Sequence, residues 1–184
     1  MLATLSLALA LQAAAPAPAA APIPPLEEAR RRIEARDARL FWAGFEGCDP
    51  AALEDLLTPD FRMLHDLGGL AVSSRDHFVA MLTEQCAARA PGGENAGYRN
   101  RRLPVPGTRI VRPLGDWGVL EEGAHVFFEW GGEARGWVMV GGARYMHSWQ
   151  WLPDEGVFRL SESLSYDHGA APPYPPEEAE AGGR

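Results

Sequence analysis

The chain has 184 residues, a formal net charge of −8, and no lysine among its seventeen basic residues. The length fits one domain, and the acidity excludes the basic footprint of a nucleic-acid binder. The missing lysine excludes Schiff-base catalysis and a phosphate-loop motif.

Residues 1–11 form an apolar run, followed by Gln12 and an Ala/Pro stretch. The run is too short to span a bilayer. It has the apolar region and small-residue cleavage zone of a signal peptide, although no positive charge precedes it. Ala17-Pro18-Ala19 offers a small-x-small site. Residues 1–19 therefore read as a signal peptide and 20–25 as a Pro-rich linker. The mature protein is expected to be periplasmic or secreted, with no membrane insertion after export. The alternative is an Ala/Pro arm on a cytosolic protein.

A first helix is predicted from Leu26 to about Glu46, with Leu26, Ala29, Ile33, Leu40, Phe41 and Phe45 recurring at helical spacing. Gly47 ends it. Asp49-Pro50 opens a short second helix to about Leu57. Residues 60–65 read as a strand, 66–69 as a turn, and 70–72 as a short strand. Ser73-x-x-Asp76 resembles a capping box opening a third helix to about Ala88. Strand-like runs follow near 99–103, 107–113, 117–130, 136–151 and 156–166, rich in Val, Phe, Tyr and Trp. Helices first and strands afterwards predict an α+β domain over residues 26–168, with helices on one face of an antiparallel sheet. Residues 169–184 read as a disordered tail.

Cys48 and Cys86 lie 38 residues apart. In an oxidising compartment they are expected to form one disulfide. Closing that loop is worth roughly 3–4 kcal/mol in the chain-entropy model. Two buried apolar thiols are the alternative.

The order of elements resembles the nuclear-transport-factor-2-like superfamily and, within it, the uncharacterised bacterial SnoaL-like group. The likeness rests on Leu40-Phe41-Trp42-Ala43-Gly44-Phe45, Cys48-Asp49, Asp60-Phe61 and His65-Asp66-x-Gly68-Gly69. It extends through Ser74-Arg75-Asp76-x-Phe78, Arg101-Arg102-Leu103 and Gly123-x-His125-x-Phe127 to His147-x-Trp149 and Ser165-Tyr166-Asp167-His168. The resemblance implies a conical curved sheet around three N-terminal helices, enclosing one pocket. It implies no shared catalytic motif, because the superfamily has none.

The residues themselves supply candidates. Phe61, Met63 and His65 share one face of a strand, so His65 is the member expected inside. A His65 general base held by Asp66 or Asp167 suits proton transfer near neutral pH; hydrogen-bonded rim residues are the alternative. Strict alternation places Leu164, Tyr166 and His168 on one face and Asp167 on the other. His125 shares a face with Phe127 and Glu129, and His147 with Tyr145, Trp149 and Trp151, as in a mostly apolar pocket with few polar groups; ordinary sheet packing is the alternative. Asp37 falls on the apolar stripe of the first helix. Arg101 and Arg102 alternate faces, so one of them, assigned as Arg102, could enter the pocket and hold an anionic group; a solvated face is the alternative. Trp42 completes the ligand-binding set with Asp37, Arg102, His125, His147, Tyr166 and His168. No close His pair suggests a metal site, and no cofactor is expected. Three functions remain open: binding of a small organic molecule, a cofactor-free lyase or isomerase, and an interaction module that forms a homodimer through its sheet.

Overall fold

A computed structural model describes residues 21–169. The signal-peptide and tail readings fall outside the described residues, apart from Gly169. Helix α1 (Leu26–Phe41) buries Ala29, Ile33, Asp37 and Leu40 on one stripe. The chain then widens into a π-helical turn, Trp42–Gly47, which ends at Cys48 in the left-handed region with φ 46°. The Trp42 ring packs over Gly47, where a Cβ would meet it at 2.3 Å. A disulfide joins Cys48 to Cys86, with Cα atoms 5.6 Å apart.

Helix α2 (Ala52–Leu56) follows, and the Asp49 carboxylate accepts the Ala52 N–H at 3.3 Å. Strands β1 (Leu57–His65) and β2 (Gly69–Val72) form a hairpin that leads to α3 (Arg75–Arg89). The cap of α3 is Ser74, one residue later than the Ser73 expectation. Its hydroxyl accepts the His77 N–H at 3.1 Å, whereas Ser73 lies against the His77 ring. The remaining strands are β3 (Asn100–Pro104), β4 (Ile110–Pro113), β5 (Gly118–Trp130), β6 (Trp137–Leu152) and β7 (Val157–Gly169).

The seven strands form one curved sheet in the order β2-β1-β7-β6-β5-β3, with β4 also on β5. The sheet is antiparallel except for β1 and β7, which run parallel. Hairpins force antiparallel pairing only between consecutive strands, and β1 and β7 are far apart in sequence. Three register shifts interrupt the pairing of the long strands: at Val140 of β6, at Ser161 of β7, and between Gly142 and Arg144 of β6, opposite the end of β7. Along β6 the inward side chains change character. Trp151 and Trp149 belong to an apolar core with Ile33, Leu53, Leu57, Phe158 and Leu160. His147 and Tyr145, further along the same face, line a cavity. Among the described residues, no helix is long and apolar enough to cross a membrane.

Candidate functional site

The cavity measures about 340 Å³. Leu40, Phe41 and Phe45 wall it from the first helix and its π turn, Phe78, Met81 and Leu82 from α3, and Phe61 and Met63 from β1. Four imidazoles reach it: His65, His125, His147 and His168. They fall into two groups with different surroundings.

The deeper group lies on a buried layer of charge. Asp37 is 1% exposed and its Oδ2 accepts Nη1 of Arg102 at 2.7 Å and Nη2 of Arg109 at 2.9 Å. Glu121, fully buried, accepts Nε1 of Trp149 at 2.8 Å and the Tyr145 hydroxyl at 3.3 Å, and pairs with Arg109 Nε at 3.2 Å. Two carboxylates thus face two guanidiniums, and the formal charge balances. Nδ1 of His147 stands between the anions, 3.4 Å from Glu121 Oε2 and 3.6 Å from Asp37 Oδ1. Burial pushes the Glu121 carboxyl up, but the His147 ring, Arg109 and Trp149 together outweigh it and hold the group below its ordinary value. Burial, with Glu121 close by, raises the Tyr145 phenol. His125 accepts Nε of Arg102 on Nδ1 at 3.0 Å. Burial first, then the Arg102 charge, lowers its pKa to about 2, so the ring stays neutral. The Arg102 guanidinium also lies over the Phe41 ring, 3.7 Å from its centre.

Gly123 makes this layer possible. A Cβ there would meet the Tyr145 hydroxyl at 2.7 Å.

The second group lies nearer the surface. Nδ1 of His168 is 2.6 Å from Asp66 Oδ1, and the His168 backbone N–H donates to Asp66 Oδ2 at 3.1 Å. Nε2 of His168 is 3.2 Å from the Ser165 hydroxyl. The His65 ring stacks on His168 with centroids 4.0 Å apart, and its Nδ1 accepts the Leu67 N–H at 3.2 Å. Desolvation, then the neighbouring His168, lowers the His65 pKa. Desolvation pulls the Asp66 carboxyl up, but the His168 N–H and ring outweigh it and hold it below the ordinary value. His65, Asp66 and His168 lie close enough to share a metal ion. The facing nitrogens of both rings already have partners.

The other predicted residues sit off the cavity wall. Asp37 and Arg102 pair with each other beneath it. Trp42 is 46% exposed and stacks under Arg39. Tyr166 faces outward against Arg144. Asp167 lies by an outer groove with Arg144 and has φ 56°. That left-handed residue breaks the alternation of β7. It turns His168 back to the side of Ser165, whereas regular pleating would leave it beside Tyr166.

Sequence reasoning passed over Glu121, Arg109 and Ser165. Glu121 was findable, because it shares the face of Gly123, His125 and Phe127 on a strand of alternating pattern. Arg109 lies between strands, where no periodicity marks a direction. Ser165 is hidden by the register shift at Ser161, which moves the inward set from Phe158 and Leu160 to Ser163 and Ser165.

No protein-family model matches the sequence, and no curated protein matches it significantly. Several solved structures share its fold. ActVI-ORFA from Streptomyces coelicolor is 11% identical with a TM-score of 0.60, over 76% of this chain and 96% of that one. A Catenulispora acidiphila protein in complex with S-DNPA is 14% identical with a TM-score of 0.58, over 76% and 94%. A nuclear transport factor 2-like superfamily protein from Salmonella enterica serovar Typhimurium is 12% identical with a TM-score of 0.57, over 86% and 99%. The fold is therefore the nuclear transport factor 2-like, SnoaL-like α+β cone. At these identities the likeness speaks to fold alone.

Proposed function

We propose that the cone holds a small, mostly apolar organic molecule in a protein that works in the periplasm or outside the cell. The cavity carries the reading: its 340 Å³ falls in the range of small-ligand sites, with apolar walls and a few polar groups. The neighbour crystallised with S-DNPA supports it at the level of fold. The disulfide supports an oxidising compartment. A homodimer is part of the proposal, supported by the exposed Val138, Met139 and Val140 of β6. Native mass spectrometry of the protein from its own source tests these points together. A retained small-molecule mass is expected, and Gly44→Phe should abolish it. Gly44 lines the cavity, and its Cβ position has open space around it. A bare protein mass that also takes up no apolar dye would overturn the binding reading.

A second reading, a cofactor-free lyase or isomerase, is favoured by His147. Its Nδ1 is turned to Glu121 and Asp37 while the ring lines the cavity, which leaves Nε2 for a ligand proton. His147→Gln should then remove turnover of any substrate found by screening, with binding retained. Turnover unchanged in a folded variant would exclude His147 as the base.

A further inference from the structure

We propose that Ser165, His168 and Asp66 form a nucleophile–base–carboxylate triad that takes the acyl group of small esters entering the cavity. The proposal rests on the reading that the cavity admits small molecules.

The geometry meets the two hydrogen-bond requirements of such a set. The nucleophile reaches its base: Ser165 Oγ is 3.2 Å from His168 Nε2. The base is oriented by a third group: His168 Nδ1 is 2.6 Å from Asp66 Oδ1. A carboxylate only accepts hydrogen bonds, so Nδ1 carries the proton. Nε2 is then the acceptor, and the serine O–H points to it. The Asp66 carboxylate also takes the His168 backbone N–H on its other oxygen, which fixes the imidazole from two directions. Ser165 and His168 both line the cavity.

Three features of the chain exist to bring these residues together. The one parallel pairing of the sheet sets His65 opposite Ser165, and the Asp66 N–H donates to the Ser165 carbonyl at 3.1 Å. The register shift at Ser161 turns Ser165 inward. The left-handed Asp167 then returns His168 to the same side. A non-glycine residue in that region costs energy and is concentrated at functional sites.

In the first step Ser165 Oγ attacks the ester carbonyl carbon, and its proton passes to His168 Nε2. The C–O bond to the leaving group breaks, and the imidazolium returns the proton to the departing alcohol or phenol oxygen. Water then adds to the acyl-serine, again giving a proton to Nε2. The Oγ–C bond breaks, Ser165 regains its proton, and the acid is released. No oxidant, reductant or metal is needed.

The test is intact-protein mass spectrometry of the full chain treated with an alkyl fluorophosphonate, with peptide mapping and, in parallel, binding of an apolar dye. One adduct per chain, on Ser165, is expected. Ser165→Ala should abolish it, and His168→Gln should slow it about 100-fold or more, within the range for loss of a general base. Asp66 acts through His168 as a positioning residue, so Asp66→Asn should slow labelling and Asp66→Glu should restore part of the rate. An adduct on another residue, or equal rates in the wild type and His168→Gln, would overturn the triad. No adduct in a protein that binds dye would overturn the triad alone. Neither adduct nor dye would overturn the binding reading with it.

Discussion

The two histidine–carboxylate groups of this cavity use the same chemistry in opposite surroundings. At the floor, His147 meets Asp37 and Glu121 in a layer where all three are about 1% exposed or less. At the rim, His65 and His168 meet Asp66 with side chains 17–30% exposed. The floor is fixed by long-range charge balance among α1, β3, β5, β6 and Arg109. The rim is fixed by hydrogen bonds between two adjacent strand ends. Charge taken out of water is tolerated only while every partner is present, whereas a group close to water can lose a partner and be resolvated. The floor should therefore answer to mutation through stability, and the rim through function.

The largest effect is expected at the floor. Asp37→Ala leaves Arg102 Nη1 and Arg109 Nη2 without their shared anion. Breaking a buried pair in this way costs about 3–5 kcal/mol, a large part of the stability of a domain this size. Chemical denaturation should show the loss as an earlier midpoint. A variant as stable as the parent would mean that water reaches the floor, and the contrast with the rim would disappear.

A smaller effect should separate the two groups by pH. His125 is buried at the floor, facing Arg102 of β3, His147 and Tyr145 of β6, and Phe41 of α1. Its folded pKa of about 2 lies below the ordinary 6.5. Below 6.5 the unfolded chain takes up a proton that the folded chain refuses. Stability is therefore fully present above that pH and falls as the solution is acidified, by roughly 1.4 kcal/mol per pH unit for one such group. His125→Gln keeps an acceptor for Arg102 and should flatten the stability curve between pH 6.5 and 4.5. An unchanged slope would show that another group sets the acid response. Asp66 has the same sign over a lower window. Its depressed pKa makes its contribution present above the ordinary 3.8 and lost as pH falls through the folded value.

The comparison also shows what the sequence could say. Floor residues on regular elements were legible. Asp37 lies on the helical stripe, and His125 and His147 lie on strands whose period of two persists through the site. That reading gave direction but not partners: Asp37 and Arg102, read as ligand contacts, pair with each other through Oδ2 and Nη1. The fold was legible for the same reason: element order and periodicity survive without knowledge of contacts. The rim was not. Its placement depends on a register shift at Ser161, a parallel pairing, and one left-handed residue at Asp167. None of these leaves a periodic signal: the pairing sets which residues meet, and the register shift and the left-handed residue each reverse which way a side chain points.

The smallest effect on stability, and the sharpest test of the contrast, is expected from His65. Its ring stacks on His168 and lines the cavity, but it carries no ion-pair network into the core. His65→Ala should melt close to the parent temperature and yet weaken ligand or dye binding several-fold, because His168 loses the face it rests on. Thermal melting and a binding titration on the same preparation separate the outcomes. If the variant binds as tightly as the parent, the stack does not shape the cavity mouth. If it fails to fold, the rim is as structural as the floor, and exposure is then the wrong guide to which of the two imidazole groups is free to act on a ligand.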